Sequence, residues 1–265
     1  MKKFFIRTFM ALCFIYVAIC VALYFLQEKI IFHPEKLDHN FKFSFNQPFE
    51  ELQIKTKDNS TLNGLLFKAD SAKGLIFYLH GNAGSLRTWS NVAKNYTALH
   101  YDIFLLDYRG YGKSEGTISG QEQFFSDIQC AYDEMKKRYD EGKIVMLGYS
   151  LGTDPATLMA STNHPRMLIL QAPYYSLVDM MHKEYPFVPT FLLKYKFETE
   201  VYIKDCKMPV VIFHGDSDEM IPYSSSLELK KSFKKGDTLI TLPGQGHNGM
   251  TEDSGYQKAL AEILK

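Results

Sequence analysis

The chain has little that would support a metal, redox or nucleic-acid reading. It holds four cysteines in 265 residues. Cys13 and Cys20 fall in an apolar N-terminal run, and Cys130 and Cys206 stand alone, without the Cys-x-x-Cys spacing of a zinc or redox site. Sequence alone leaves a Cys130–Cys206 bridge open, because connectivity cannot be read from spacing. Neither sign of charge is in excess: Lys+Arg and Asp+Glu number 30 each. The basic balance that would draw a chain to nucleic acid is therefore missing. There is no internal repeat and no long low-complexity tract. What remains is a chain that is 46% hydrophobic, enough for a sizeable core and long enough for one large domain with a short extra segment.

The extra segment lies at the N-terminus. Lys2, Lys3 and Arg7 precede the charge-free run Thr8 to Leu26, which is 19 residues long. As a helix at about 1.5 Å per residue, that run matches a hydrocarbon core of about 30 Å. It is longer than the apolar region of a cleavable signal, and Gln-Glu-Lys-Ile-Ile-Phe after Leu26 offers no small-x-small cleavage site. Residues 1–26 are therefore expected to be an uncleaved membrane anchor, with a cleaved signal as the alternative. Being apolar on every face, the run does not read as a core helix. Lys2, Lys3 and Arg7 are expected to stay cytoplasmic, which puts the remaining chain on the other side of the membrane; Lys29 and Lys36 blunt this asymmetry. Residues 27–50 read as a connector. Their stretch FKFSFNQPF (41–49) is expected to dock onto the domain, with a lipid-surface contact as the alternative.

From residue 51 onward strand and helix patterns alternate. Leu52–Thr56 and Leu62–Lys68 read as a hairpin. GLIFYL (74–79) and 103–106 read as strands buried on both faces, and 143–147, 167–170, 209–214 and 238–242 read as strands. Helical patterns cover 86–98, 121–138, 151–162, 223–234 and 252–264. This alternation implies an α/β fold with a mainly parallel sheet covered by helices on both faces. In such sheets ligands bind beyond the carboxyl ends of the strands. His80-Gly81, Asp107, Ser150, Asp218 and His247 all follow strand ends. Residues 174–205 break the rhythm with an apolar, aromatic-rich stretch. It is expected to be a lid-like insertion, with plain cover for the sheet as the alternative.

Gly148-Tyr149-Ser150-Leu151-Gly152 follows a strand and precedes a helix, the context of a nucleophile elbow. A serine hydroxyl needs a base. His247, in the glycine-rich loop after the last strand, is the candidate. The acid should follow the preceding strand, where Asp216, Asp218 and Glu219 are all available; His214 there reads as structural. The oxyanion donors are expected to be the backbone N–H of Leu151 and, from the loop after an early strand, that of Asn82, with Ala83 as second choice.

These motifs carry a resemblance. YLHGNAGS, LLDYRGYGKSEG, GYSLGT, HGDSDEMIP and GQGHN, together with QEKIIFHPEKL beside the anchor, resemble the α/β-hydrolase superfamily over about residues 50–265. More narrowly, the chain is similar to membrane-anchored, bud-emergence-type serine hydrolases, near serine aminopeptidases and monoacylglycerol lipases. The resemblance implies an α/β-hydrolase fold with Ser150 as nucleophile, His247 as base and Asp218, not Asp216, as acid, and no metal or organic cofactor. Relatives often carry glycine where this chain has Asp154; the expectation is a helix N-terminal carboxylate that does not face the site. The expected activity is cleavage of a small-molecule or lipid-like acyl ester or thioester, the lipid-like class being favoured by the anchor and the apolar 174–205 stretch. A peptidase of the same mechanism is the alternative, with Glu184 as a carboxylate for a free amine. A non-catalytic lipid- or protein-binding scaffold is the third reading.

Overall fold

A computed structural model describes residues 1–265. In chain order the elements are α1 (Lys2–Ile31), β1 (His33–Pro34), β2 (Phe49–Lys55), β3 (Thr61–Phe67), β4 (Gly74–Leu79), β5 (Ala83–Gly84), α2 (Leu86–Trp89), α3 (Ala93–Thr97), β6 (Tyr101–Leu106) and α4 (Gln121–Lys136). They continue with β7 (Ile144–Tyr149), α5 (Thr153–Thr162), β8 (Met167–Gln171), α6 (Leu177–Glu184), α7 (Thr199–Tyr202), β9 (Val210–Gly215), α8 (Ser224–Lys230), β10 (Thr238–Leu242) and α9 (Ser254–Ile263).

Eight strands form one sheet in the order β10-β9-β8-β7-β4-β6-β3-β2. The hairpin β2–β3 is antiparallel, as is the β3–β6 pair, and the rest of the sheet is parallel. Strands β4, β6, β7 and β9 are buried at every position, as their unbroken apolar runs require. Edge strand β2 instead alternates, burying Leu52 and Ile54 and exposing the residues between. The two faces carry separate cores of 36 and 24 buried residues. On one face α4 buries Phe124, Ile128, Ala131 and Met135, which recur at helical spacing, and Tyr132 beside them.

Several boundaries differ from the sequence pattern. The expected helix over 86–98 is broken into α2, a 3-10 turn at Ser90–Val92, and α3. Helix α1 does not stop at Leu26 with the apolar run but continues to Ile31, so the first residues of the expected connector are helical. The reason is packing: Gln27 is buried, and Phe32 docks against Phe124 and Tyr195 with ring centroids 5.5 and 5.2 Å apart. The strand β2 likewise begins at Phe49, inside that connector. Phe43 is buried and Phe45 packs on Phe67 of β3, so the Phe-rich stretch is docked on the sheet. All four cysteines are free thiols, and no Cys130–Cys206 bridge forms.

Candidate active site

The turn that carries Ser150 is built by two glycines. A Cβ on Gly148 would lie 2.3 Å from the carbonyl oxygen of Gly152, and one on Gly152 would lie 2.1 Å from that of Leu79. Only glycine lets β7 turn this sharply into α5 while pressing against the end of β4. Between them Ser150 takes a left-handed backbone with φ +51°, uncommon for a residue with a side chain. The strain lifts the half-buried Ser150 side chain above the sheet.

The loop after β10 brings His247 to it. His247 Nε2 lies 3.0 Å from Ser150 Oγ, and Nδ1 lies 2.8 Å from Asp218 Oδ2. Asp218 is acceptor-only when ionised, so Nδ1–H donates to it and Nε2 is left to accept from the serine hydroxyl. The three acids after β9 divide their work. Asp218 takes the imidazole. Asp216 accepts the Gly244 N–H at 2.7 Å, and Glu219 accepts the His247 N–H at 3.3 Å, both fixing the backbone of the loop that carries His247. The Tyr149 hydroxyl adds a third tie, donating to the His247 carbonyl at 2.5 Å. Burial first, then the nearby Asp218 carboxylate, raises that phenol well above its usual range, so it keeps its proton.

Asp218 is fully enclosed, which alone would raise its carboxyl. Hydrogen bonds from His214, His247 and the Ile221 N–H outweigh the burial and hold it well below the usual carboxylate range. His214 is thus more than a strand-end filler. Its Nδ1 lies 2.6 Å from Ser226 Oγ, and its Nε2 lies 3.0 Å from the Ile221 carbonyl and 3.3 Å from Asp218 Oδ2. A carbonyl and a carboxylate on one nitrogen assign the proton to Nε2. His164 and His182 are exposed and take no part.

The loop after β4 is held by its carbonyls. Tyr108 OH donates to His80 O at 2.6 Å, Tyr111 OH to Asn82 O at 2.6 Å, and Trp89 Nε1 to Ala83 O at 2.7 Å. Residues leaving α1 add two more bonds, from His33 N–H to Asn82 O and from Glu35 N–H to Gly84 O, each 2.9 Å. The Asn82 side chain closes the seam on Ile31 O at 3.2 Å. Asn82 N–H has no acceptor within the protein. Leu151 sits in the 3-10 turn Ser150–Gly152 that opens α5. Beneath the loop, burial pushes the His80 imidazole down to about 4, which keeps it neutral beside the buried Asp107. His33 and Tyr111 were missed as site-supporting residues; both lie in segments that carry the family resemblance, which is the signal that could have found them.

Asp154 is fully buried. Its Oδ1 accepts the Thr199 hydroxyl at 3.2 Å, and Oδ2 has no partner. Burial, with Glu200 and Glu198 nearby, pushes its carboxyl well up. It stands in the first turn of α5, as expected, and ties that helix to the 174–205 insertion.

A cleft of about 440 Å³ opens beside the turn. Ala83, Tyr149 and Asn248, neighbours of Asn82, Ser150 and His247, all line it, together with Trp89, Met250 and Glu252. The insertion does not contribute to this wall. It packs on α1, on Gln121 of α4 and on α5. Glu184 ends α6 at the surface, so the carboxylate in the cleft wall is Glu252.

The family described as serine aminopeptidase, S33, matches residues 70–202, a span that includes Asn82 and Ser150 and ends before Asp218 and His247. Among curated proteins, protein bem46 of Schizosaccharomyces pombe is 28% identical over 241 residues, covering 83% of this chain and 78% of the relative. The uncharacterised protein YfhR of Escherichia coli is 28% identical over 211 residues, 75% of this chain and 73% of its own. Among solved structures, a Pyrococcus furiosus esterase superposes with a TM-score of 0.69 at 18% identity, over 88% of this chain and 97% of that one. Est1E of Butyrivibrio proteoclasticus with ferulic acid bound superposes with a TM-score of 0.63 at 22% identity, over 81% and 96%. The architecture is the α/β-hydrolase fold.

Proposed function

Because the chain belongs to the serine aminopeptidase S33 family of α/β-hydrolases, we propose that it cleaves acyl esters through an acyl-enzyme on Ser150, with His247 as base and Asp218 as acid. The observation that carries the reading is the continuous line of contacts from Ser150 Oγ through His247 to Asp218, 3.0 and 2.8 Å long. Ser150 Oγ attacks the acyl carbonyl as its proton passes to His247 Nε2. Asp218 holds the imidazolium that forms. The N–H groups of Asn82 and Leu151 take the oxyanion, each such donor typically contributing about 3 kcal/mol. Collapse of the intermediate expels the alcohol or thiol, which receives the proton from His247. Water then attacks the acyl-enzyme by the same route. Side chains and water handle every proton and electron pair.

The substrate class follows from surroundings. Trp89, Tyr149 and Met250 give the cleft an apolar wall suited to an acyl chain. Helix α1 is long and apolar enough to cross a membrane, which favours a lipid-like ester or thioester. We assign residues 1–26 as the anchor, 27–50 as the connector and 51–265 as the hydrolase domain with its 174–205 insertion. Lys2, Lys3 and Arg7 favour a cytoplasmic N-terminus and an extracytoplasmic domain.

Glu252 in the cleft wall supports one other reading, an aminopeptidase whose substrate amine pairs with that carboxylate. Two measurements on the full chain in bilayers separate the readings. A fluorophosphonate probe should label the protein and fail on S150A; absence of labelling leaves only a binding scaffold. A p-nitrophenyl ester chain-length series should then outrun peptide amides bearing a free N-terminus. Faster amide cleavage that collapses in E252Q would replace the esterase reading with the aminopeptidase one.

A further inference from the structure

The insertion between β8 and β9 contains a stretch, residues 185–193, that reads YPFVPTFLL and has no charged side chain. Its large side chains point outward: Phe187 is 85% exposed, Phe191 82% and Tyr185 66%. Contiguous apolar exposure of this kind marks a surface meant to be covered. The stretch is fastened to α1 at two depths. The Tyr16 hydroxyl donates to the Phe187 carbonyl at 2.8 Å. Toward the helix C-terminus, Gln27 Nε2 donates to the Leu192 carbonyl and Gln27 Oε1 accepts the Lys194 N–H, both at 2.8 Å. Tyr16 and Gln27 are about 16 Å apart along the helix axis at 1.5 Å per residue. The stretch therefore lies along α1 for that length, and its far end is bonded to a residue in the middle of the charge-free run Thr8 to Leu26. Whatever surrounds that part of α1 surrounds Phe187 as well.

Four of the seven backbone N–H groups in the stretch already have a partner inside the protein. In hydrocarbon every N–H and C=O needs a partner inside the protein. Pro186 and Pro189 have no N–H to satisfy. Tyr185 N–H donates to Met181 O, Val188 to Tyr185 O, Leu192 to Pro189 O and Leu193 to Thr190 O, at 2.8 to 3.1 Å. The polar border is in place too. Lys194 Nζ, 3.2 Å from Glu28, sits 4.8 Å from the Tyr24 ring, a cation and an aromatic at the end of α1 where headgroups would begin.

We propose that residues 185–193 insert into the same bilayer leaflet as the C-terminal half of α1, so that lipid acyl chains, not water, cover Phe187 and Phe191. The hydrolase domain is then held to the membrane by two elements and cannot swing freely about one. The proposal rests on α1 spanning a membrane and is independent of the chemistry at Ser150.

The chain's one tryptophan makes the test direct. In a W89F background, F187W and F191W report from the stretch, and K235W reports from an exposed turn on the domain. Each full-length variant is placed in phosphatidylcholine bilayers with acyl chains brominated at shallow or deep positions. F187W and F191W emission should fall about twofold or more in brominated bilayers and resist aqueous iodide, with K235W behaving in the opposite way. Iodide quenching of F187W equal to that of K235W, with no effect of bromine, overturns the proposal. Should W89F impair folding, amide exchange of the unaltered chain in nanodiscs gives the same answer. In nanodiscs residues 185–193 should exchange about tenfold or more slowly than the exposed turn around Lys235, and equal rates overturn it. Both readouts work whether or not Ser150 takes a fluorophosphonate, so failure here and failure of the esterase reading are separate results.

Discussion

The backbone N–H of His33 donates to the carbonyl of Asn82 at 2.9 Å, which couples the chain leaving α1 to the loop proposed to hold the oxyanion. Tyr111 OH shares that carbonyl at 2.6 Å. Y111F leaves one donor where there were two. A net hydrogen bond of about 0.5–1.5 kcal/mol predicts a kcat loss of roughly 2- to 10-fold on a soluble ester, with KM unchanged. Truncation sharpens the point. A chain starting at Gln27 keeps His33 and Glu35 and should retain most activity on soluble esters. A chain starting at Lys36 loses both bonds to the loop and should lose most of it; equal activity of the two would show that the seam does not position the loop.

The second prediction concerns His214, which donates to the carboxylate that orients His247. The Asp218 carboxyl is held below its usual range, so its contribution to stability is full above about 3.9, the ordinary value, and is lost as pH falls from there through its depressed folded value. H214F removes one of the donors responsible. The Asp218 carboxyl should then titrate closer to its ordinary range. We expect kcat to fall about tenfold, and the acid limb of the kcat/KM profile to move to higher pH. A variant with lower kcat but an unmoved acid limb would reduce His214 to a packing role.

How much of this was legible in sequence depended on whether the cause was local. The run GLIFYL gave β4 at both ends, Gly74 and Leu79, because six buried residues bounded by punctuation leave little freedom. The sharp turn at Ser150 was legible because strand, glycine, serine and glycine are contiguous. Strand β1 was not legible. Two residues have no periodicity, and their partner, Ala83–Gly84, is distant in the chain. The extension of α1 to Ile31 was hidden for a similar reason: Gln27 and Glu28 read as polar flanks until Leu192, Lys194 and Tyr195 arrive from the insertion to pair with them. The choice among Asp216, Asp218 and Glu219 came from resemblance, since three acids in four residues differ only in which backbone or ring each one faces.

Asp154 yields a prediction whose sign differs from that of Asp218. Burial and the neighbouring Glu200 and Glu198 raise its folded carboxyl well above the usual range. Below about 3.9 the folded and unfolded chains both carry the proton and no penalty arises. As pH rises above that value the unfolded carboxyl ionises freely while the folded one resists, so stability falls until the raised folded value is passed. D154N removes the titration and keeps an oxygen for the Thr199 hydroxyl. Its Tm should match the parent near pH 4 and exceed it at pH 8 by about 2–4 °C, the shift corresponding to about 1 kcal/mol in a chain of this size. Because Asp154 faces α7, ester turnover should stay within about twofold of the parent. A large gain in turnover would mean that the carboxylate does oppose the oxyanion.

The last prediction tests the clamp between α1 and the insertion. Gln27 is buried, with both ends of its amide engaged: Oε1 by Lys194 N–H, and Nε2 by the Leu192 and Tyr24 carbonyls. Q27A would leave the Lys194 N–H and the Leu192 carbonyl unpaired, a cost of about 1–3 kcal/mol for a buried group without a partner. That energy should be lost locally, because the segment is fastened to α1 and α6. Trypsin should therefore cut after Lys194 and Lys196 about tenfold or more faster in Q27A than in the parent, since local opening of about 1.4 kcal/mol corresponds to a factor of ten. Fluorophosphonate labelling of Ser150 should persist, because the insertion does not line the cleft. Cleavage at the parental rate would show that Lys194 and Glu28, with the Tyr195 hydroxyl, hold the two elements together without Gln27.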